Sequence, residues 1–122
     1  MKILVMDDEA QILRLVTEIL HAAGHQVLCA ADGIAGMTLF RKEAPEVVIV
    51  DIVMPEQEGI ETILAIRRES PKVKIIAISG AGPVGDVDVL KMARSLGADD
   101  VIAKPFRAQE LLSRVRSLVS AT

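Results

Sequence analysis

Val47-Val48-Ile49-Val50-Asp51 decides the fold. An unbroken run of β-branched apolar residues suits a strand, and its lack of apolar–polar alternation means that both faces are covered, as inside a parallel sheet. The run ends on an acidic residue, so a buried strand delivers a carboxylate to its carboxyl end. Ile75-Ile76-Ala77-Ile78, within a strand predicted over Lys74 to Ile78, repeats the pattern. Apolar runs at Ile3 to Met6, Gln26 to Ala30 and Val101 to Ala103 bring the predicted strands to five.

Outward from these runs the apolar period changes to that of a helix. Ile12, Leu13, Val16, Ile19 and Leu20 share one face of a helix that Gly24 ends, and Leu111, Leu112, Val115, Leu118 and Val119 repeat the pattern near the other end of the chain. A further helix runs through Ile60, Ile63 and Leu64 after Gly59, and shorter ones are expected at roughly Gly33 to Lys42 and Gly85 to Leu96. Strand–helix alternation implies a parallel sheet with right-handed crossovers and helices on both faces. The expected class is therefore α/β: a doubly wound five-stranded parallel sheet of order 2-1-3-4-5, flavodoxin-like (βα)5.

Length and composition bound the function. At 122 residues the chain is expected to be one domain over residues 1–122. A net charge of −3 without clustered Lys and Arg predicts no direct nucleic-acid binding by this domain. The lone Cys29 cannot form an internal disulfide and reads as core or near-core. No apolar run approaches the roughly 18 residues of a membrane helix, and Met1 to Met6 meets acidic residues before a secretory core develops, so a cytoplasmic location without membrane attachment is expected.

In open parallel sheets the working crevice lies beyond the carboxyl ends of the strands. Asp7 and Asp8 follow the first strand, Asp51 ends the third, Ser79 follows the fourth and Lys104-Pro105 follows the fifth. The strand order brings these residues together. Three carboxylates in one cleft repel one another unless a cation compensates, and an all-oxygen donor set without His or Cys suits Mg²⁺ rather than zinc. Lys104 adds a fixed positive charge, and the Ser79 hydroxyl can donate to an anion formed beside the metal. The arrangement suits a phosphoryl group carried on a carboxylate.

With these motifs the chain resembles the receiver domains of bacterial response regulators in two-component signalling, chemotaxis-regulator-like, from Lys2 to about Leu118. The resemblance implies that Asp51 is the phosphoacceptor, with a histidine kinase or histidine phosphotransfer protein as donor. It implies that Asp8, Asp51 and the backbone carbonyl of Val53 bind Mg²⁺ with Asp7 in support. Met54-Pro55 and Gly59 match the family's turn after the phosphorylated aspartate, Ser79 its switch hydroxyl, and Lys104-Pro105 its lysine followed by a cis peptide, which lets the lysine point into the cleft. Such a domain catalyses only its own phosphorylation and dephosphorylation. It is expected as a monomer or a phosphorylation-dependent dimer, and its output protein or effector is not named by the sequence.

Three positions depart from the family pattern. Val101 stands where most receivers carry an aromatic ring that relocates on activation, and a valine has no ring to move. Output is then expected to depend on Ser79 and Gly80-Ala81-Gly82-Pro83, whose glycines permit backbone rearrangement. Val53 and Ala81 cannot readily orient an attacking water, which predicts slow dephosphorylation.

Other polar residues have simpler readings. Asp32, Asp86, Asp99 and Asp100 read as helix caps or solvated turns. His21 and His25 read as surface residues, Arg67, Arg68, Lys72 and Lys74 as a solvated basic face, and Phe40 and Phe106 as core.

Competing functions are a degenerate receiver that binds a partner constitutively, an aspartyl-phosphate phosphatase and a flavin-binding protein. Phosphatases similar to the haloacid dehalogenases need a second Asp where this chain has Val53. A flavin-binding loop is poorly matched by Asp7-Asp8-Glu9, which would repel a phosphate. Met1 suggests an N-terminal receiver, and Ser117 to Thr122 reads equally as a natural end or the start of a linker to an effector.

Overall fold

A computed structural model describes residues 1–52, 58–79 and 87–120. In chain order the elements are β1 (Lys2–Met6), α1 (Ala10–Ala22), β2 (Gln26–Ala30), α2 (Gly33–Glu43), β3 (Val47–Asp51), α3 (Glu58–Glu69), β4 (Lys74–Ser79), α4 (Val87–Leu96), β5 (Asp100–Ala103) and α5 (Ala108–Ser120). The strands form one sheet of order β2-β1-β3-β4-β5, and every neighbouring pair is parallel. Fold class and strand order are those read from the sequence.

Alternation along the strands divides the core in two. Leu4, Met6, Val48, Val50, Ile75, Ala77 and Val101 face one layer with Met37, Phe40, Ile63, Ile66 and Ala93 from α2, α3 and α4. Ile3, Val5, Val47, Ile49, Ile76, Ile78 and Ile102 face the other, where Val16 and Leu20 of α1 meet Leu111 and Val115 of α5. Both faces of β3 are thus covered, which is why its sequence shows no polar alternation. Phe40 is buried and Phe106 half-buried against the α1–α5 layer, as expected of core aromatics.

Several expectations are corrected. Cys29 is exposed, because β2 is an edge strand; its Sγ lies 2.9 Å from Thr17 Oγ1. His25 is half-buried rather than a surface residue, its Nδ1 has no hydrogen-bond partner among the described residues, and burial lowers its pKa. Arg67 is no solvated cation. It donates to the carbonyls of Gly97, Ser70, Pro71 and Val73 and pairs with Asp99 at 2.9 Å, joining the end of α3 to the loop before β5.

Asp99 also accepts the Ile75 N–H, and the buried Asp100 takes two hydrogen bonds from Arg114 at 2.8 and 2.9 Å and one from Arg94. Asp100 is thus no solvated turn residue, whereas Asp99 stands exposed in the bend before β5 and is held there by these contacts. Asp32 is the α2 cap expected of it, accepting the Ala35 N–H at 2.7 Å, whereas Gly85 and Asp86 lie outside the described residues.

Gly59 lies within α3 rather than ahead of it. A Cβ there would collide with the Asp51 carbonyl oxygen and stand 2.7 Å from Ile52 Cα. The first turn of α3 therefore packs directly on the backbone that ends β3, and only glycine fits that approach.

Candidate functional site

The strand ends converge as the topology requires. Asp7 leaves β1 fully buried, with its N–H on the Ala30 carbonyl at 3.1 Å. Its Oδ1 accepts the Glu9 N–H at 2.9 Å, so the chain turns from β1 into α1 around the Asp7 carboxylate. Asp51 closes β3 at 2 % exposure, and Asp8 is exposed at the mouth. Oxygens of Asp7, Asp8 and Asp51 all lie within 4.8 Å of one another.

Ser79 ends β4 buried, its carbonyl accepting the Lys104 N–H at 2.8 Å. Its hydroxyl is buried with no hydrogen-bond partner among the described residues. Lys104 follows β5, and the Lys104-Pro105 peptide is cis. The Lys104 ammonium reaches across the cleft to Asp7 Oδ2 at 3.0 Å, Glu9 Oε1 at 3.1 Å and Asp51 Oδ2 at 3.2 Å. Of these contacts, those with Glu9 and Asp51 have hydrogen-bond alignment, while Asp7 Oδ2 is at ion-pair distance but off the line of a bond.

The electrostatics follow from this crowding. Burial pushes the Asp7 carboxyl upward and the nearby Asp51 charge adds to that, outweighing the Glu9 N–H and the Lys104 ammonium that pull it down. Burial alone would lower the Lys104 pKa, yet Asp7, Glu9 and Asp51 together hold it above the ordinary lysine value. One ammonium thus faces several carboxylates, and the cleft retains an excess of negative charge.

The donor chemistry fits a hard divalent cation: carboxylate oxygens close together, no His or Cys among them, and one carboxylate open to solvent. The Ser79 hydroxyl adds a donor with no acceptor among the described residues. Asp7, Asp8, Asp51, Ser79 and Lys104 are therefore brought to one cleft. The Val53 carbonyl, Met54-Pro55 and Gly80-Ala81-Gly82-Pro83 lie outside the described residues. Glu9 is the member that sequence reasoning passed over. Its only signal was its place in Asp7-Asp8-Glu9, because its partner lies 95 residues away.

Fold and cleft together define a doubly wound α/β domain with an acidic, lysine-bridged pocket at the carboxyl ends of its strands. The family model for the response regulator receiver domain matches residues 3–116, and the chain belongs to that family. It is 40% identical over 121 residues to a protein described as probable transcriptional regulator ycf27 of Cyanophora paradoxa, covering 99% of this chain and 49% of the relative. The chain spans about half the length of the curated relatives it matches.

Among solved structures, it is similar to the receiver domain of NtrX from Brucella abortus, with TM-score 0.91 and 30% identity over 98% of this chain and 99% of that one. A response regulator receiver domain protein from Clostridium thermocellum matches with TM-score 0.89 and 31% identity, over 98% and 94% of the two chains. Val101, the departure noted in the sequence, is buried at 7 % exposure in the layer under α3 and α4. Among the described residues no helix is long and apolar enough to cross a membrane.

Proposed function

We propose that the chain is a magnesium-dependent aspartyl-phosphate switch in which Asp51 takes a phosphoryl group from a histidine kinase or histidine phosphotransfer protein. The observation that carries this reading is the convergence of Asp7, Asp8 and Asp51 around the Lys104 ammonium. Asp8 and Asp51 would hold Mg²⁺ with the Val53 backbone carbonyl, and Asp7 would support them. When bound, the ion neutralises the carboxylates and the phosphoryl oxygens, which otherwise repel.

An Asp51 oxygen attacks phosphorus as the bond from phosphorus to the imidazole nitrogen breaks, and the leaving electron pair stays with the imidazole. With the donor's other ring nitrogen protonated before transfer, the product is an acyl phosphate on Asp51 and a neutral histidine on the donor. Lys104 stands 3.2 Å from Asp51 Oδ2, close enough to take up a phosphoryl oxygen, and the Ser79 hydroxyl supplies a further donor. Its capture of the phosphoryl group would pull the end of β4 and start the conformational change, since Val101 offers no ring to relocate.

Likeness to proteins described as transcriptional regulators, about twice as long as this chain, supports transcriptional control as the output. That output would act through an effector region or separate partner, by monomeric contact or by phosphorylation-dependent dimerisation. A cytoplasmic setting suits a kinase-fed switch of this kind.

Intact mass after incubation with acetyl phosphate tests the reading. One phosphoryl group should be gained with Mg²⁺, and none with chelator or in Asp51→Asn. Absence of any gain in the wild type would leave a constitutive interaction module and sink the switch.

A further inference from the structure

Glu9 stands at the N-cap of α1, yet its side chain makes no capping hydrogen bond. Glutamate is not among the favoured cap residues, and the backbone here leaves its carboxylate free to turn elsewhere. It turns across the cleft, placing Oε1 3.1 Å from the Lys104 ammonium. The two ends of this contact differ in setting: the Glu9 side chain is 60% exposed and that of Lys104 only 12%.

A lysine ammonium has three protons to donate. In the resting cleft three carboxylates surround it: Asp7, Glu9 and Asp51. Glu9 and Asp51 each hold an aligned hydrogen bond from it, and Asp7 Oδ2 lies at ion-pair distance, so a phosphoryl oxygen arriving at Asp51 competes with these carboxylates for the ammonium. Asp7 is buried and tied to the Glu9 N–H, and Asp51 is the nucleophile. Glu9 alone among the three can swing into water without leaving a buried charge unpaired.

We propose that Glu9 is a positioning residue that holds Lys104 in the resting state and competes for it with the incoming phosphoryl group, so that it restrains phosphorylation of Asp51. The inference rests on Asp51 being the phosphoacceptor. Glu9 is then a brake on accidental phosphorylation by small phosphodonors, one that acts through Lys104 rather than on the phosphodonor itself.

The test compares wild type and Glu9→Gln with acetyl phosphate at saturating Mg²⁺, at low salt and at about 1 M salt, where the screening length falls to roughly 3 Å. Freeing Lys104 should raise the initial rate about two- to fivefold, the scale of one exposed ion pair. The gain should shrink at high salt but not vanish, because a contact pair is screened less than a distant charge. The melting temperature should not change. In parallel, the Lys104 ammonium resonance in NMR spectra, assigned by its loss in Lys104→Met, should move in Glu9→Gln.

An unchanged rate, a gain that vanishes in high salt, or an unmoved Lys104 resonance overturns the role of Glu9 while leaving Asp51 phosphorylation standing. Failure of the wild type itself to take up phosphate overturns both.

Discussion

Replacing Gly59 with alanine forces a side-chain carbon onto the backbone that carries Asp51. The added Cβ would stand 2.7 Å from Ile52 Cα and 3.0 Å from the Asp51 carbonyl carbon, with the Asp51 oxygen nearer still. The contact with Ile52 Cα is about 0.7 Å short of ordinary packing, and neither backbone can rotate aside as a side chain would. Overpacking of this kind costs roughly 3 kcal/mol. The better helix propensity of alanine inside α3 returns about 1 kcal/mol. A net loss near 2 kcal/mol, with an unfolding entropy of about 2.1 cal/mol/K per residue, lowers Tm by about 8 °C.

Relief of the clash must shift the end of β3, so the rate of Mg²⁺-dependent phosphorylation should fall with Tm. Thermal unfolding followed by circular dichroism, paired with intact mass after acetyl phosphate, reads both. Gly24→Ala is the comparison: at φ +92° with open space around the new carbon it carries only backbone strain, costing about 1 kcal/mol. A Gly59→Ala protein as stable as the wild type, or less affected than Gly24→Ala, would refute the close approach of α3 to the Asp51 backbone.

Three further outcomes are expected. Arg67→Ala removes the donor for four carbonyls and the partner of Asp99, and should cost about 2–3 kcal/mol in urea unfolding; a loss below 0.5 kcal/mol would return Arg67 to the solvated face. Asp7 has a folded pKa above its unfolded value, so its contribution is most favourable below the ordinary 3.8 and is lost as pH rises through the folded pKa. Metal-free Asp7→Asn should therefore gain stability over wild type at neutral pH, and the difference should shrink toward pH 4 in chelator-containing melts; a gap independent of pH contradicts this. Lys104→Met leaves the carboxylates without their ammonium and should lower Tm in chelator, with Mg²⁺ restoring most of the loss; equal Tm values with and without Mg²⁺ would count against a cation in the cleft.

The sequence by itself determined the layered architecture and most of the cleft. Val47 to Val50 and Ile75 to Ile78 are apolar on both faces, which only a sheet covered on both sides explains. Once the strands take the doubly wound order 2-1-3-4-5, Asp7, Asp8, Asp51, Ser79 and Lys104 must meet, because each ends a strand or follows one within two residues. Position relative to a strand end is local information, and apolar period reports it.

Tertiary structure alone decided which polar groups face one another. Glu9 and Lys104 are 95 residues apart, Arg67 meets Gly97 across 30 and Asp100 meets Arg114 across 14. Cys29 reads as apolar in its run, and only the edge position of β2 exposes it. Gly59 looks like a turn residue until α3 is seen resting on the Asp51 carbonyl. Burial pattern fixes the side of the sheet or helix on which a residue lies. It does not fix where a long charged side chain ends, because arginine, lysine and glutamate span several ångströms and choose their partners only after the backbone is packed.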